Sequence, residues 1–373
     1  MRFLIITHVF HKPKVQQWFA YAPYVREMNL WLKHVDEVEI VAPIAEDTPI
    51  SEIDIAYRHN KIKFTHIPSV AFINFSSGLK SLLVIPFILL RLFQACRRAD
   101  HIHLRCPGNI GLLGCFVQLF FPKKIKTAKY AGNWDPNAQQ PLSYNLQKKI
   151  LSNTSWTKNM TALVYGEWEN QTKNIKSFFT ATFKNIDREA INLRDYSADL
   201  NFTFVGSLVE GKRPLLAIQI VEELIKKGIP SYLKLFGNGI LKVKLQQYID
   251  QNNLGNYIVL HGNQTSETIK KALKTSHFTI LASKSEGWPK ALAEAMFFGV
   301  IPIATAISCV PNMLDNENRG ILIEPNINDA LVKIEDTLSN KNRLKDMSIQ
   351  ASEWSQYYTL DLLNSEIQKL IVT

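Results

Sequence analysis

The chain has 373 residues, of which 46% are hydrophobic and 20% charged. This length predicts two domains rather than one core, and the composition excludes an intrinsically disordered chain. The four cysteines show neither metal-ligand nor disulfide-framework spacing, which favours a reducing cytoplasm. Because Met1 to Ile6 leads straight into a strand, no signal peptide is expected.

The net charge of +10 is unevenly distributed along the chain. Residues 1–185 carry 23 Lys and Arg against 12 Asp and Glu, whereas residues 186–373 carry 20 against 21. The basic half is therefore expected to meet an anionic partner such as a membrane surface or a lipid diphosphate. Nucleic acid is not expected, because no recognition motif accompanies the charge. A general effect on solubility is the alternative explanation.

The first predicted strand, Phe3 to Thr7, ends at His8. The loop that follows, from His8 to Gln17, also contains His11 and has no glycine, so its side chains would have to supply polar contacts. We interpret His8 and His11 as candidate ligands on the acceptor side of a site. A histidine that only caps the strand end is the alternative for His8. A helix is predicted from Tyr21 to Leu32.

The stretch Gly78 to Arg98 predicts a helix with an apolar run from Leu82 to Leu90. Nine residues are far fewer than the roughly 20 that a membrane span requires. Two alternatives stay open. The helix either packs in the core with a kink at Pro86, or lies on a membrane with its arginines facing head groups.

Two further strands of the first domain end in polar loops. The strand His101 to Leu104 is followed by Arg105, and the strand Thr127 to Ala131 is followed by Asn133, Trp134 and Asp135. Because parallel strands present their carboxyl ends at one edge, these loops should lie beside His8. Trp134 would stack on the flat face of a ligand and Asp135 would hold a ligand hydroxyl. A packed Trp beside a turn-forming Asp is the alternative.

A polar stretch, about 184–200, is predicted to link the two domains. The second domain then has strands that end at Gly206, at Gly237 and before Gly262 and Asn263. The loop Ser207 to Arg213 leads into a helix that starts at Pro214. The lone Gly-x-Gly after Phe236 is weak support for a nicotinamide site, because no third glycine follows.

The stretch Leu281 to Thr305 predicts a βαβ unit, with Glu286 in its loop and Glu294 on its helix. If the residues between them are mostly helical, the two carboxylates lie about 12 Å apart, which suits two ends of one elongated ligand. Free backbone N–H groups near the helix start would face an anion. That segment comprises Gly287, Trp288, Pro289, Lys290 and Ala291. A surface helix with two ordinary glutamates is the alternative.

This stretch resembles the donor-site signature of the retaining glycosyltransferases of family 4, which have the GT-B fold. Their recurrent run E-G-x6-E-A-M-x-x-G-x-P-V-x-A-T is matched here at the residues Glu286-Gly287, Glu294-Ala295-Met296, Gly299, Pro302, Ala304 and Thr305. The resemblance implies that Glu286 contacts the donor sugar and Glu294 the nucleotide ribose. It also implies backbone contacts to the base near Gly262 and Asn263.

In the family, an Arg and a Lys of the loop V-G-R-L-x-x-x-K-G clamp the donor diphosphate. Gly206 and Lys212 match this loop, whereas Ser207 replaces the Arg and Arg213 replaces the final Gly. One charge of the clamp has thus moved along the loop, and Arg213 is carried over as a proposal. A cation here would stabilise the charge that grows on the leaving diphosphate.

The resemblance implies an α/β GT-B architecture with two Rossmann-like domains that face a cleft, residues 1–185 and 200–358, and a final helix, about 359–373, that crosses back. The implied activity is transfer of a sugar, with retention, from a nucleotide-diphosphate sugar to a glycan or lipid-linked acceptor in cell-surface polysaccharide biosynthesis. No cofactor and no metal are expected, since the chain has no Asp-x-Asp. The leaving diphosphate itself would take the acceptor proton.

We expect a cytoplasmic protein that sits peripherally at the inner face of the membrane. One alternative is a phosphorylase or epimerase of the same fold. Another is a subunit of an assembly complex that binds sugar nucleotides without catalysis, which Ser207 and the glycine-free first loop favour.

Overall fold

The computed structural model describes residues 1–45, 48–70 and 75–372, and within the last range the side chains of residues 83–371. The chain divides into two compact units. The first unit comprises Met1–Phe179 together with the end of the chain from Leu363 onward, and the second comprises Thr180–Leu362. Within the described residues, no helix combines the length and apolarity that crossing a bilayer would require.

The first unit is organised by a parallel sheet. Its strands, in chain order, are β1 (Arg2–Ile6), β2 (Lys12–Lys14), β3 (Gln17–Tyr21), β4 (Glu37–Ala42), β5 (Asp54–Ala56), β6 (Ile62–His66), β7 (His101–Cys106), β8 (Ile125–Tyr130), β9 (Met160–Val164) and β10 (Ile175–Ser177). Seven of them form the sheet in the order β10-β9-β8-β7-β1-β4-β6. The central strand β7 is buried along its whole length, although it carries His101, His103 and Arg105, because helices cover both faces of such a sheet.

The segment after β1 differs from the loop that the sequence predicts. It folds into a hairpin, in which β2 pairs with β3, and β5 adds a third antiparallel strand. Val15 and Gln16 both have positive φ, 42° and 62°, as a two-residue turn of this hand requires. The pattern was missed because neither residue belongs to the Asn, Asp and Gly set that signals such a turn.

The helices of the first unit are α1 (Ala22–Trp31), α2 (Phe75–Arg98), α3 (Asn109–Val117) and α4 (Leu142–Ser152). The predicted Tyr21 to Leu32 helix is therefore confirmed within one residue at each end. Helix α2 contains Pro86, and its inner residues Ile88, Leu92 and Cys96 lie in the core beneath the sheet. The inner side of α2 therefore agrees with the alternative in which this helix packs in the core.

The second unit repeats the design with one parallel sheet. Its strands are β11 (Leu200–Val205), β12 (Ser231–Phe236), β13 (Ile258–Gly262), β14 (Phe278–Leu281), β15 (Ile301–Thr305) and β16 (Ile321–Ile323). Its helices are α5 (Pro214–Lys226), α6 (Lys242–Gln251), α7 (Ser266–Thr275), α8 (Lys290–Phe297), α9 (Val310–Met313), α10 (Ile327–Ser339), α11 (Lys341–Tyr357) and α12 (Leu360–Val372), the last of which continues into the first unit.

The strand order of the second sheet is β13-β12-β11-β14-β15-β16. The chain winds outward from β11 in one direction and from β14 in the other, so the connections diverge between these two strands. Ligands of open α/β sheets bind at the carboxyl ends of strands where the order reverses. The same reasoning points to β1 and β7 in the first unit, whose sheet reverses between them.

Candidate functional site

Two loops meet at the reversal point of the second sheet. One runs from Gly206 to Arg213 after β11, and the other from Ala282 to Pro289 after β14. The backbone N–H of Lys284 donates to the carbonyl of Gly211 at 2.8 Å, which ties the loops together. All three residues predicted to be catalytic, Lys212, Arg213 and Glu286, lie on these loops.

Lys212 and Glu286 form an ion pair across the gap between the loops. The Glu286 side chain is 10% exposed and that of Lys212 30% exposed, so water screens the pair only partly. The same Glu286 oxygen accepts a hydrogen bond from the Ser283 hydroxyl at 2.6 Å. Thr305 in turn donates to the Ser283 carbonyl at 2.7 Å. The acidic side chain is thus held in one orientation by groups that the motif did not single out.

Arg213 reaches the same place from an unusual backbone conformation. Its φ of 47° and ψ of 51° are left-handed, immediately before Pro214 opens α5. From there its Nη1 donates to the carbonyl of Ala282 at 3.1 Å, at the end of β14. The guanidinium is therefore anchored to the loop after β14 that also carries Glu286, and its role as the second charge of the clamp stays a prediction.

Helix α8 begins later than the sequence suggests. Pro289 is the residue before its first turn, so the free N–H groups of the helix start at Lys290 and Ala291. Gly287 lies in the preceding loop, where its carbonyl accepts from the Cys309 thiol at 3.1 Å. Trp288 is stacked on Trp354 with ring centroids 5.9 Å apart. Gly287 and Trp288 shape the loop, therefore, while the dipole of α8 acts from Lys290 onward.

Glu294 lies on α8, one residue past its middle, and is half-buried. Its carboxylate accepts a hydrogen bond from the Thr182 hydroxyl at 2.6 Å. Loss of water raises the pKa of Glu294 above its usual value, and the Thr182 hydrogen bond and the charge of Lys290 oppose this only in part. The carboxylate is thus held in a poorly hydrated place with the Thr182 hydroxyl as a donor.

The floor beneath these residues is made of backbone. Gly206 N–H donates to the Phe236 carbonyl at 2.9 Å, and Gly237 N–H donates to the Gly262 carbonyl at 2.8 Å, so three strand ends are joined. Gly237 has a φ of 137°, and a Cβ there would lie 1.9 Å from the Gly206 oxygen. Ser207 and Asn263 are exposed at the rim of this floor.

In the first unit, His8 and His11 have different surroundings. The exposed His8 ring lies against Gly108, where a Cβ would be 2.8 Å from Nδ1. Partial loss of water, aided by the charge of Arg105, lowers the pKa of His8. His8 thus has an exposed ring at the reversal point of the first sheet.

His11 is fully buried, and both of its ring nitrogens have partners. Nδ1 lies 2.8 Å from the Val9 carbonyl and Nε2 lies 2.7 Å from the Tyr57 hydroxyl. Burial lowers the pKa of His11 to about 4. The predicted acceptor role of His11 does not fit this position, because the hairpin after β1 turns the ring into the core.

Arg105 is also placed differently from the prediction. It belongs to β7, which extends to Cys106, and not to the loop after it. Its guanidinium forms a buried ion pair with Glu27 at 2.6 Å and lies 5.2 Å from the Tyr24 ring centroid. The negative charge of Glu27 keeps the pKa of Arg105 raised in spite of burial. Arg105 is thus committed to Glu27 and orders α1 against β7.

The loop after β8 forms the turn that the sequence left as one alternative. The Asn133 side chain accepts from the Asp135 N–H at 2.9 Å, and the Asp135 side chain accepts from the Asn137 N–H at 2.8 Å. Trp134 is buried and meets Tyr130 edge-on at 4.9 Å. The ring therefore packs in the unit, although it also lines a cavity of about 640 Å³ together with Lys148 and Trp168.

Sequence reasoning missed two hydroxyl groups, Ser283 and Thr182, that hold the two glutamates. Ser283 stands three positions before Glu286 in the same loop, so its closeness in sequence could have indicated the contact. Thr182 comes from a distant part of the chain, and no local signal indicates its contact with Glu294. Among the side chains that the structure describes, no group of three or more His, Cys, Asp or Glu is arranged to hold a metal ion.

Similarity to known proteins agrees with this geometry. Residues 186–354 match the family Glycosyl transferases group 1. An uncharacterized glycosyltransferase of Methanocaldococcus jannaschii is 26% identical over 200 residues, which are 53% of this chain and 54% of that protein. A UDP-Gal:alpha-D-GlcNAc-diphosphoundecaprenol alpha-1,3-galactosyltransferase of Escherichia coli is 32% identical over 142 residues, 36% of each chain. The chain spans about half or less of the length of these curated relatives.

Solved structures extend the similarity of fold to both units. The lipopolysaccharide outer core galactosyltransferase WaaB has a TM-score of 0.68 at 15% identity, with 100% of this chain and 99% of that chain covered. HepE of Anabaena, solved with UDP and glucose, has a TM-score of 0.66 at 12% identity, with both chains fully covered. The predicted fold class, two Rossmann-like parallel-sheet units of the GT-B type, is confirmed. Through residues 186–354 of its second unit, the chain is related to the group 1 glycosyltransferases.

Proposed function

We propose that the protein is a retaining glycosyltransferase that uses a nucleotide-diphosphate sugar. The observation that carries this proposal is the meeting of Lys212, Arg213 and Glu286 where the second sheet reverses its order. Two cations and the start of α8 would bind the diphosphate, and Glu286 would bind hydroxyls of the donor sugar. Glu294, at the far end of the same ligand, would accept from the ribose in place of Thr182.

In the proposed reaction, the bond between the anomeric carbon and the diphosphate oxygen breaks, and that oxygen keeps the electron pair. The acceptor hydroxyl oxygen forms the new bond on the same face of the sugar, and its proton passes to the departing diphosphate. Lys212 and Arg213 would stabilise the negative charge that grows on the leaving group. With these two cations in that role, we propose that the reaction is independent of metal ions.

We propose a uridine diphosphate sugar as the donor to test first, because HepE of Anabaena was solved with UDP and glucose. For the acceptor we propose a glycan or a lipid-linked glycan of cell-surface polysaccharide biosynthesis. The galactosyltransferase relative of Escherichia coli, named for a diphosphoundecaprenol acceptor, supports this class. His8, the candidate of the first unit whose ring is exposed, is the proposed contact to the acceptor. The reaction would take place at the inner face of the cytoplasmic membrane.

The first test is a thermal-shift panel of nucleoside diphosphates and their sugars, with and without EDTA. A donor present at 100 times its Kd should stabilise the folded protein by about 2.7 kcal/mol, and EDTA should not change this. Lys212→Met should weaken the shift, whereas Lys244→Met, an exposed lysine of α6, should not. No shift with any nucleotide sugar would refute the donor assignment.

Mass spectrometry together with proton NMR of the products separates the proposal from its alternatives, because anomers and epimers have the same mass and differ only in their NMR spectra. Transfer to an added glycan, with the anomeric configuration of the donor kept, is the expected result. Turnover that requires inorganic phosphate, or a changed sugar without any acceptor, would identify a phosphorylase or an epimerase. A thermal shift with no turnover under any of these conditions would identify a subunit that only binds sugar nucleotides.

A further inference from the structure

The outer side of α2 is apolar as well as the inner side. Leu83, Phe87 and Leu90 are spaced by four and three residues, so they lie on one face of the helix. Their exposed fractions are 74%, 43% and 55%. The opposite face, with Ile88 and Leu92, is buried in the core of the first unit. A surface helix normally presents polar residues to water, whereas this outer face presents apolar ones.

The apolar surface continues beyond α2. Phe93, 40% exposed, lies 6.1 Å from Phe120 between ring centroids, and Phe120 is 72% exposed. Phe93 also lies 5.0 Å from Phe121. We call Leu83, Phe87, Leu90, Phe93 and Phe120 the outer α2 face. A contiguous exposed apolar patch on a folded protein often marks an interaction site.

Basic residues outnumber acidic ones in the segment that carries the outer α2 face. Residues 75–134 contain nine Lys and Arg and a single acid, Asp100. Arg91 is exposed and its guanidinium carbon lies 5.0 Å from the Phe87 ring centroid. Arg97, in the last turn of α2, and Lys123, three residues after Phe120, are also exposed. Arg98, by contrast, is taken up by an ion pair with Glu39. Exposed apolar side chains together with the exposed cations Arg91, Arg97 and Lys123 fit a surface that is both apolar and anionic.

We propose that the outer α2 face docks on an anionic lipid bilayer. The inner face of α2 is held in the core, so the helix would lie in the plane of the interface with its outer side chains at the boundary between head groups and acyl chains. Arg91 would extend along the Phe87 ring towards the phosphates, as long basic side chains do at such interfaces. This inference is independent of the sugar-transfer reaction, although it would bring a lipid-linked acceptor within reach.

The test is co-sedimentation of the full chain with vesicles of phosphatidylcholine alone and with vesicles of equal parts phosphatidylcholine and phosphatidylglycerol. The wild type should bind the anionic vesicles at least tenfold more tightly, since each cation near such a surface contributes about fivefold. The triple variant Leu83→Gln, Phe87→Gln, Leu90→Gln should lose at least about tenfold in partitioning. Arg91→Gln with Arg97→Gln and Lys123→Gln should lose a similar factor on anionic vesicles only.

Matched controls lie in the second unit. Ile186→Gln, Leu193→Gln and Val332→Gln change three exposed apolar residues, and Lys244→Gln, Lys271→Gln and Lys345→Gln change three exposed lysines. Both control sets should bind vesicles like the wild type. The proposal is overturned if the wild type stays in the supernatant, or if the apolar triple variant binds as well as the wild type. Concentration-dependent dimers that the triple variant abolishes, without vesicle binding, would assign the face to a second copy of the chain.

Discussion

Charged residues and histidines stand at the carboxyl edges of both sheets, but they have different roles in the two units. In the second unit, Lys212 and Glu286 pair with each other in a partly open site, and Arg213 is anchored to a loop carbonyl next to them. In the first unit, His11 and Arg105 stand near the equivalent edge but are buried and bonded to Tyr57 and Glu27. The difference lies in Lys212, whose side chain is 30% exposed, whereas that of Arg105 is 9% exposed, so residue type and position at a strand end do not by themselves predict which cation is open to a ligand.

The largest effect should come from Arg105, the residue of this comparison that the structure assigns to stability. Arg105→Met leaves the Glu27 carboxylate buried without its cation, which should lower the free energy of unfolding by about 3–5 kcal/mol. Chemical denaturation measures this loss. The double variant Arg105→Met with Glu27→Met should recover much of it, because apolar side chains replace both charges. A neutral outcome for the single variant would contradict the structural role.

Glu286→Gln tests the site of the second unit, where the charged side chains are proposed to act on a ligand. The variant keeps the shape of the side chain and its place near Ser283, but removes the charge that faces Lys212. We expect the rate of transfer to fall by about 10²–10³, in line with the loss of one preorganised electrostatic contact. Steady-state kinetics with the donor found by thermal shift measure this effect. Glu267→Gln, at the exposed start of α7, is the matched control and should leave the rate unchanged.

A fall in pH should lower the free energy of unfolding of the first unit, because this unit contains buried histidines. Burial lowers the pKa of His11 and of His101 to about 4. Above a pH of about 6.5 they contribute nothing, because they are neutral in the folded and the unfolded chain. Between pH 6.5 and 4 only the unfolded chain takes up the protons, so stability falls as the pH falls, by at most about 1.4 kcal/mol per pH unit for each group.

Hydrogen exchange of first-unit peptides between pH 7 and 4.5, corrected for intrinsic rates, measures this fall. His11→Phe should reduce the slope of unfolding free energy against pH, while His66→Phe, at an exposed site, should not. Parallel curves for wild type and His11→Phe would show that His11 does not carry the effect.

The smallest effect should come from Glu294, and it has the opposite sign. Its pKa in the folded chain is raised, so the wild type gains stability as the pH falls through that value towards the ordinary value of 4.5. Glu294→Gln keeps an acceptor for Thr182 and removes the cost of the buried charge. The variant should match or slightly exceed the wild type in thermal stability at neutral pH, and the gap should close near pH 4.5. The variant should also bind nucleotide more weakly.

The sequence predicted the two α/β units from local patterns, whereas the placement of Lys212 and Glu286 at one site was implied by the resemblance to the family 4 signature. Apolar runs mark the strands, and the reversal of strand order brings the loops after β11 and β14 together. The start of α8 was placed too early, since Pro289 suits both the first turn of a helix and the residue before it.

Contacts between distant parts of the chain could not be predicted from these patterns. Thr182 lies 112 positions before Glu294, and Tyr57 lies 46 positions after His11. No periodicity links such pairs, so whether a polar side chain is free or satisfied becomes visible only in three dimensions. The hairpin of β2 and β3 shows the same limit on a smaller scale, because its turn uses residues outside the usual set.

The close approach of Gly206 and Gly237 limits how the second unit can be altered. A single added methyl group at Gly237 would collide with the main chain of Gly206, so no side chain can be introduced at this point of the floor without moving the backbone. If the proposed donor binds above this floor, a change of donor preference would be sought at the exposed rim residues Ser207 and Asn263. Libraries aimed at new sugar nucleotides should therefore randomise those two positions and leave the glycines intact.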